Sequence, residues 1–281
     1  MIIKACAKVN LALNIESARA DGYHNLQMIM QSVDLCDTLE IRFAENSPLE
    51  VACDIPIEGE NLVIKTVEAY SAEIGRKIGG KIDIKKRIPL CGGLGGGSAD
   101  AAAVLKALQT AFGGVSNSRL LEIALMLGAD VPFAVVGGTQ YAAGVGEMLT
   151  PLPPLKDCSV LLATAGNKDS TGKMFARFDS MNDKLQPDVA MAASLLKKGD
   201  FSAAILYFKN SFYPLWQNKK ADEIESIMKA AGAVCVSLSG AGPTVFGIFE
   251  NDGDALNAKE KIAAFTWCEI CHPTEKSVYF E

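Results

Sequence analysis

A glycine-rich segment contains the residues of this sequence that point most directly to chemistry. Five glycines occupy positions 92–97 together with one leucine, and the run leads straight into the alanine-rich stretch Ser98–Ala111. Glycine lets the backbone adopt positive φ and approach a ligand closely, while the free N–H groups at the start of a helix favour anions. Three cations, residues 85–87, lie just upstream. These features favour phosphate binding over the alternative of a flexible loop capped by its serine.

The better-known phosphate-binding loops do not match this segment. A P-loop requires Gly-Lys-Ser/Thr at its end, and none follows here. The dinucleotide fingerprint G-x-G-x-x-G fails because the sixth position counted from Gly93 is Ser98. The set of protein-kinase motifs is absent as well.

Lys8 and Asn10 form a second candidate group. They lie two residues apart in an alternating N-terminal segment predicted as a strand, so their side chains leave the same face. Together they could donate hydrogen bonds to an oxygen anion. The alternative is an ordinary solvated strand face.

Asp130 precedes a predicted short helix that has Pro132 in its first turn. An aspartate at this position is expected for helix capping alone. The functional alternative is a general base that accepts the proton of an attacking hydroxyl while a nearby lysine offsets charge.

Two turns complete the set of candidate sites. Tyr23 and His24 follow the turn Asp21-Gly22, where they could offer a stacking surface to a planar base or be ordinary loop residues. The segment Ser239–Thr244 contains two glycines between two predicted strands. It is either a plain turn or a second glycine loop packed against the first.

Composition limits the classes of protein to be considered. The chain has 281 residues, 49% hydrophobic and 21% charged, which is typical of a globular protein and sufficient for two lobes. A net charge of −6 argues against nucleic acid and anionic membrane as partners. No apolar run reaches the roughly 18 residues of a membrane span, and the charged N-terminal residues do not resemble a signal peptide. A cytoplasmic location is therefore expected; nothing indicates an oligomeric state.

Eight cysteines are scattered through mostly apolar segments. In a reduced compartment they are expected to be buried thiols, free of metal, rather than a disulfide framework. The sequence Cys268-Glu-Ile-Cys271-His272 matches the C-x-x-C-H pattern of haem attachment. Without an export signal or a second cysteine pair for zinc, this match is interpreted as coincidence.

Periodicity and turn residues predict an α+β chain with a boundary between lobes at the proline-rich segment 151–154, giving units 1–150 and 151–281. After an N-terminal strand of about 15 residues, strands are predicted at Leu26–Leu35, Thr38–Phe43, Leu49–Cys53, Lys81–Lys86, Thr139–Ala143, Ser159–Thr164, Ala233–Leu238, Thr244–Phe249 and near the C-terminus. Helices are predicted at Glu60–Ile74, Ser98–Ala111, Ser118–Leu127, from Asp130, at Thr171–Phe178, Val189–Lys197, Phe201–Asn210, after residue 220 and at Asp254–Phe265.

The segment Pro89–Ala99 resembles the P-x-x-x-G-L-G-x-x-x-A signature of the GHMP small-molecule kinases. Four further motifs occur in order with it: A-K-x-N at 7–10, D-G-Y-H at 21–24, G-A-D-V-P at 128–132 and S-G-A-G-P-T-V-F at 239–246. Together they are similar, over essentially the whole chain, to the 4-diphosphocytidyl-2-C-methyl-D-erythritol kinases of the non-mevalonate isoprenoid pathway. The D-G-Y-H motif separates this family from its superfamily relatives.

The resemblance implies a two-lobed GHMP kinase fold, with an N-terminal lobe like ribosomal protein S5 domain 2 and a ferredoxin-like C-terminal lobe. It implies that ATP phosphorylates the 2-hydroxyl of the methylerythritol moiety. Mg²⁺ is implied as well; the sequence identifies no protein ligand beyond the candidate Ser98.

The resemblance also implies roles for individual residues. Lys8 and Asp130 would be the catalytic pair, with Asp130 taking the hydroxyl proton, and Asn10 would hold the substrate nearby. The cytidine would be bound by Tyr23, His24, Thr171 and Phe175, and the adenine end of ATP would lie beside Asn61 and Lys86. The phosphates would be wrapped by Pro89, Leu90, Cys91, Gly92, Gly93, Leu94, Gly95, Gly96, Gly97, Ser98 and Ala99.

Two positions depart from the family pattern: Cys91 stands where relatives often have Gly or Ala, and Ala99 where many have a second Ser. Neither removes a phosphate-facing glycine. Two other functions stay open at this point, a GHMP kinase of mevalonate or homoserine type and a nucleotide-binding regulator without catalysis. Tyr23, His24 and Phe175 argue against the first, and the presence of both Lys8 and Asp130 argues against the second.

Overall fold

The alternating segments near the N-terminus form the two long strands on which the first sheet is built. The computed structural model describes residues 1–56, 61–167, 170–216 and 218–281. Its strands are β1 (Ile2–Ala18), β2 (His24–Glu45), β3 (Leu49–Cys53), β4 (Ile78–Lys85), β5 (Thr139–Gly144), β6 (Met148–Pro151), β7 (Ser159–Thr164), β8 (Cys235–Leu238), β9 (Thr244–Phe249), β10 (Cys268–Cys271) and β11 (Val278–Phe280). Its helices are α1 (Leu62–Ile74), α2 (Gly96–Phe112), α3 (Asn117–Leu127), α4 (Val131–Val136), α5 (Thr171–Asp179), α6 (Val189–Lys197), α7 (Phe201–Ala204), α8 (Lys219–Ala230) and α9 (Asp252–Ile262).

The first sheet is organised around β2. Strands run in the order β11-β1-β2-β4-β3, and β5, which carries β6, also pairs with β2. Only the β3–β4 pair is parallel among the pairings of the described strands. The two predicted strands at 26–35 and 38–43 are one continuous strand. Helix α2 lies against β1 and β2 and buries its run of small side chains there, so the start of α2 is held at a fixed place over the sheet.

The second sheet confirms the ferredoxin-like expectation. Its four strands are all antiparallel in the order β10-β7-β9-β8, with α8 and α9 packed against it. This order is the one that the βαββαβ arrangement of ferredoxin-like folds produces. After β10 the chain returns to the first sheet, where β11 pairs with β1. The boundary at residues 150 and 151 remains a prediction.

The strand pairing between β1 and β2 is irregular close to Lys8. Cys6 lies opposite Cys36, but Lys8 lies opposite Ser32, so β2 accommodates more residues than β1 across this step. Such bulges bend a strand and redirect its side chains. Here the irregularity immediately precedes the Lys8–Asn10 pair.

The expectation that the cysteines are all free thiols is wrong for one pair. Cys6 and Cys36 form a disulfide, whereas the other six cysteines are free. The physical reason is their register: they are directly opposite each other on adjacent antiparallel strands, which brings their side chains together. Two positions 30 residues apart could not be recognised as neighbours without that register.

One helix is shorter than predicted. The helix predicted at Phe201–Asn210 ends as α7 at Ala204 and continues as a 3₁₀ turn to Tyr207. Backbone hydrogen bonds to β1 explain why the helix ends early. The N–H of Leu13 donates to the Lys209 carbonyl, and the Leu13 carbonyl accepts from the N–H of Ser211, which holds this segment extended beside β1. Helix α1 begins after Asn61, whereas the predicted start at residue 60 lies outside the described residues. Across the described segments, helices long and apolar enough to cross a bilayer are absent.

Candidate active site

A wide cavity of 630 Å³ opens between the first sheet, α5 and the loop that joins β8 to β9. Its walls bring together five of the predicted catalytic and substrate residues: Lys8, Asn10, Tyr23, His24 and Asp130, with Thr171 and Phe175 completing the set. The sequence separates these residues by up to 167 positions. The structure therefore brings all seven to one cavity.

A second cavity of 510 Å³, the glycine-loop cavity, lies on the other side of Asp130. It is lined by Lys86 and by most of the predicted phosphate loop: Pro89, Leu90, Cys91, Gly92, Gly93, Gly95, Gly96, Gly97 and Ser98. The two cavities share four wall residues, namely Gly93, Ser98, Asp130 and Thr171. Two ligands bound in the two cavities would therefore meet beside Asp130.

The Lys8 side chain lies at this meeting point and is almost completely buried, with 8% of its side-chain surface exposed. Its Nζ donates to Asn10 Oδ1 at 2.5 Å and lies 3.3 Å from Asp130 Oδ2. Asn10 is itself anchored, since its backbone N–H donates to Ser239 Oγ at 3.2 Å. Because a buried ammonium needs acceptors and a counter-charge, these contacts fix where the positive charge sits. The alternative of a solvated strand face is wrong for Lys8 and Asn10.

The capping interpretation of Asp130 is wrong as well. Asp130 precedes α4 as predicted, with φ −86° and ψ −10°, but its side chain makes no capping hydrogen bond. The carboxylate instead faces Lys8 and remains about one-third exposed, at 36%. A capping role alone does not place a carboxylate between two cavities beside a buried ammonium.

The glycine loop needs glycine at two positions for different reasons. Gly95 adopts φ +71° immediately before α2, and a Cβ there would lie 3.1 Å from Lys8 Cγ. Gly93 adopts φ +78°, and a Cβ there would lie 2.4 Å from the carbonyl oxygen of Ser239. The loop is also tied to β1, where Lys8 N–H donates to the Leu94 carbonyl at 2.9 Å.

The segment Ser239–Thr244 is a second glycine loop packed against the first, which settles the choice left open by the sequence. Ser239 Oγ donates to the Gly93 carbonyl at 2.9 Å, and the N–H of Thr244 donates to the Gly92 carbonyl at 3.3 Å. Gly240 lies close to Asn10 and Lys8, with its Cβ position 3.4 Å from Asn10 Oδ1. The second loop therefore packs directly against the Lys8 and Asn10 side chains.

Lys86 is buried between two carboxylates under the start of α2. Its Nζ donates to Asp37 Oδ2 at 2.5 Å and to Asp100 Oδ2 at 2.7 Å, with all three side chains at most 4% exposed. Asp37 also accepts from the backbone N–H groups of Arg87 and Ile88. This ion cluster ties the strand end before the glycine loop to the helix after it.

The charged groups in this cluster shift one another's pKa values. Burial raises the pKa of the Asp100 carboxyl to about 7, with the neighbouring Asp37 charge adding to the rise and the Lys86 ammonium opposing it. Burial alone would lower the pKa of Lys86, but the two carboxylates hold it above its ordinary value. Asp100 Oδ1 is buried without a hydrogen-bond partner in the described structure, which fits a carboxyl that is costly to ionise.

Aromatic side chains form one end of the wide cavity. The His24 and Phe175 rings are stacked, 4.7 Å between centroids and 17° between planes, and Phe175 meets Phe212 edge to face at 5.0 Å. Tyr23 is 61% exposed at the rim. A planar base has flat aromatic surfaces available to it here.

Some predicted residues have other positions. Asn61 caps α1 by accepting from the N–H of Val63 at 2.9 Å and is not among the residues that line the glycine-loop cavity, although the adjacent Leu62 is. Leu94 and Ala99 are buried and support the loop from behind. Sequence reasoning missed Asp179 and Met28, which also line the wide cavity. No spacing signal marks them, because they reach the site from a helix end and from the middle of a strand.

The described residues contain no cluster of three or more His, Cys, Asp or Glu side chains that could hold a metal ion. Mg²⁺ needs only one or two protein oxygens when phosphates supply the others. Ser98 provides a hydroxyl on the wall shared by the two cavities, so the residues fit an ion held mainly by phosphates.

The buried ion cluster predicts a pH dependence of stability that Asp100→Asn should reduce. An unfolded Asp ionises near pH 4, whereas folded Asp100 keeps its proton up to about pH 7. Between these values the folded chain holds the extra proton, so this group lowers the free energy of unfolding as pH rises, by at most about 1.4 kcal/mol per unit.

Thermal or urea unfolding of parent and Asp100→Asn between pH 5 and 7 measures this effect. Asn cannot titrate, so the stability of the variant relative to the parent should increase as pH rises. A relative stability that stays constant or decreases over this range would contradict the assignment.

Comparisons with known proteins agree with this geometry. Residues 61–138 match the family of GHMP kinases N terminal domains, and residues 192–266 match the GHMP kinases C terminal family. A 4-diphosphocytidyl-2-C-methyl-D-erythritol kinase of Caldicellulosiruptor saccharolyticus is 35% identical over 271 residues, covering 94% of this chain and 93% of the relative. The enzyme of the same name from Clostridioides difficile is 35% identical over 284 residues, covering 98% and 96%.

Solved structures of GHMP kinases are also similar to this chain. A crystal structure of a 4-(cytidine 5'-diphospho)-2C-methyl-D-erythritol kinase has a TM-score of 0.75 and 29% identity, covering 96% of this chain and 98% of its own. A mevalonate kinase has a TM-score of 0.72 at 14% identity, with 97% and 99% covered, and shows the fold alone. The chain therefore belongs to the 4-diphosphocytidyl-2-C-methyl-D-erythritol kinases, a family of GHMP kinases.

Proposed function

We propose that this protein transfers the γ-phosphoryl group of ATP to the 2-hydroxyl of 4-diphosphocytidyl-2-C-methyl-D-erythritol. The observation that carries the proposal is the shared wall of the two cavities, where Asp130 lies 3.3 Å from the buried Lys8 ammonium. Two separate ligands could thus bring a donor phosphate and an acceptor hydroxyl to one carboxylate. Because ATP is the co-substrate, we place the reaction in the cytoplasm.

ATP would occupy the glycine-loop cavity. The first residues of α2 and the glycines before it line this cavity. The free N–H groups at a helix start and in a glycine loop favour phosphate. Mg²⁺ would be held mainly by the phosphates, with Ser98 as the protein oxygen, and when bound it supplies positive charge to the transferring group. Lys86 would hold the glycine loop in place rather than bind ATP directly, because its ammonium is already paired with Asp37 and Asp100.

The diphosphocytidyl substrate would occupy the wide cavity, whose volume lies within the range of small-molecule sites. Its cytosine would stack at the aromatic end, where Tyr23 at the rim and Phe175 on α5 offer ring faces. Thr171, on the shared wall, would lie along the path from the base to the reacting hydroxyl.

The chemical step follows from the position of Asp130. The 2-hydroxyl oxygen attacks the γ-phosphorus, its proton passes to the Asp130 carboxylate, and the bond to the β–γ bridging oxygen breaks to release ADP. Lys8 faces Asp130 and offsets the negative charge of the transferring phosphoryl group. Asn10 holds Lys8 in place through its Oδ1.

Substrate specificity is tested by ADP release with three acceptors: the diphosphocytidyl-methylerythritol, mevalonate and homoserine. We expect turnover of the first only, because the aromatic end of the cavity suits a base that the other two lack. Turnover of mevalonate or homoserine without turnover of the cytidine compound would overturn the proposal.

The general-base role predicts that Asp130→Asn lowers kcat by about 10²–10⁴. The side chain makes no capping bond to lose, so the fold should be retained. The melting temperature should fall somewhat, because the buried Lys8 ammonium loses its negative partner. Asp188→Asn is the matched control: Asp188 caps α6 through the N–H of Met191, and Asn caps about as well as Asp.

Steady-state kinetics and thermal melting of both variants make the comparison. The control should match the parent in both measurements. Near-normal turnover of Asp130→Asn would show that this carboxylate is not the base.

The glycine loop predicts that Gly95→Ala lowers ATP affinity by tenfold or more. The added Cβ would lie in the wall of the glycine-loop cavity and press on the Lys8 side chain beside it. A tenfold loss of affinity corresponds to about 1.4 kcal/mol. Gly75→Ala is the control, since Gly75 has a similar φ of +65° and open space around its Cβ position.

Both variants carry comparable backbone strain, so both should melt at a somewhat lower temperature than the parent. Titration calorimetry with a non-hydrolysable ATP analogue separates them. Equal ATP affinities for the two variants would mean that the space at Gly95 is not needed for the nucleotide.

A further inference from the structure

A buried amide holds the second glycine loop from the side that faces away from the first. Asn210 is fully buried, and its side chain makes three hydrogen bonds. Its Nδ2 donates to the carbonyls of Leu238 and Gly240, at 2.7 and 2.8 Å. Its Oδ1 accepts from the N–H of Phe212 at 2.8 Å. Because both amide hydrogens and the oxygen have partners, the place and orientation of this side chain are fixed.

The two carbonyls that Asn210 binds lie on either side of Ser239 in the chain. Ser239 Oγ accepts from the N–H of Asn10 at 3.2 Å and donates to the Gly93 carbonyl at 2.9 Å. Ser239 therefore joins the strand that carries Lys8 to the first glycine loop. Asn210 holds the backbone on both sides of that serine.

A second side chain from the same segment holds the next residue of the loop. Trp216 Nε1 donates to the Ala241 carbonyl at 3.1 Å. Its indole ring lies against Gly242, where an added Cβ would come within 2.5 Å of a ring atom. Asn210 and Trp216 therefore bind two successive carbonyls of the loop, those of Gly240 and Ala241.

The part of the loop held in this way lies beside the proposed reacting groups. Gly240 and Ala241 line the wide cavity. The Cβ position of Gly240 is 3.4 Å from Asn10 Oδ1 and 3.7 Å from Lys8 Nζ. Since the buried ammonium is confined between this loop, Asn10 and Asp130, a displaced loop would change where the positive charge sits.

We propose that Asn210 and Trp216 are positioning residues, which hold the second glycine loop so that the Lys8 ammonium meets the transferring phosphoryl group. The proposal rests on the proposed function, because it concerns the same reaction. Neither residue is among the described residues that line the two cavities. Their effect on the reaction therefore passes through the loop backbone and through Ser239.

Three substitutions remove the bonds to the loop in different ways. Asn210→Asp keeps the shape of the side chain and an oxygen that can accept from Phe212, but an ionised carboxylate cannot donate to the two carbonyls. Asn210→Ala loses all three bonds. Trp216→Phe loses only the bond to Ala241 and keeps an aromatic ring against Gly242.

Ser211→Ala is the matched control, because it removes buried side-chain bonds from the same segment. Ser211 is fully buried, and its Oγ accepts from the N–H of Ile15 at 3.2 Å and donates to the Leu185 carbonyl at 3.0 Å. These two bonds do not lead to the second glycine loop. The control should therefore melt at a lower temperature than the parent, as the other variants should, and keep the kcat of the parent.

Steady-state kinetics with ATP and the diphosphocytidyl substrate, together with melting temperatures, make the comparison. A misplacement of about 1 Å can cost about a hundredfold in rate. We expect kcat to fall about tenfold or more in both Asn210 variants and about threefold or more in Trp216→Phe. In each of the three, kcat should fall by a larger factor than either KM rises, because the loss lies in the transfer step.

Several results would overturn the inference. An unchanged kcat in Trp216→Phe would do so, and this variant decides the question by itself if an Asn210 variant does not fold. A kcat loss in Ser211→Ala as large as in the Asn210 variants would show a general structural effect. A normal kcat in Asn210→Asp with a reduced one in Asn210→Ala would transfer the role to the bond with Phe212.

Failure of the proposed function would look different from failure of this inference. In that case the parent itself would release no ADP with the diphosphocytidyl substrate. An active parent whose kcat is insensitive to Asn210 and Trp216 would contradict the positioning role alone.

Discussion

The buried ammonium of Lys8 is the interaction on which the rest of the site depends. A positive charge removed from water must be matched by acceptors and a negative group at short range. The chain provides Asn10 Oδ1 from the same strand face and Asp130 from the start of α4. Because these partners cannot move far from Lys8, the positions of the helix start and of the strand irregularity before Lys8 are fixed with respect to each other.

The two glycine loops follow from the same constraint. The first must pass close to the Lys8 stem, which leaves no room for a side chain at Gly95. The second must reach Asn10 and the carbonyl of Gly93, and it comes from the sheet of the other lobe. The glycine loops and the proposed catalytic side chains therefore belong to one packed unit, and α5 adds the aromatic end of the wide cavity.

Much of this arrangement could be predicted from the sequence, for reasons that differ between residues. The strands β7 and β9 and the helix α6 begin and end as predicted, since apolar periodicity and turn residues mark them clearly. Lys8 and Asp130 are candidates from local patterns alone, but the family resemblance is needed to favour a catalytic pair over a solvated strand face and a helix cap. The Cys6–Cys36 disulfide, the end of α7 and the contact of Asp179 with His24 depend on tertiary register, which no local pattern contains.

The central claim is that the two cavities are the donor and acceptor halves of one active site that meets at Asp130. A crystal structure with a non-hydrolysable ATP analogue and the diphosphocytidyl substrate tests it most directly. The account predicts triphosphate along the glycine loop, cytosine at the aromatic end, and the acceptor hydroxyl about 3–3.5 Å from the γ-phosphorus and within about 3.2 Å of an Asp130 carboxylate oxygen. A triphosphate in the wide cavity, or a hydroxyl out of reach of Asp130, would contradict it.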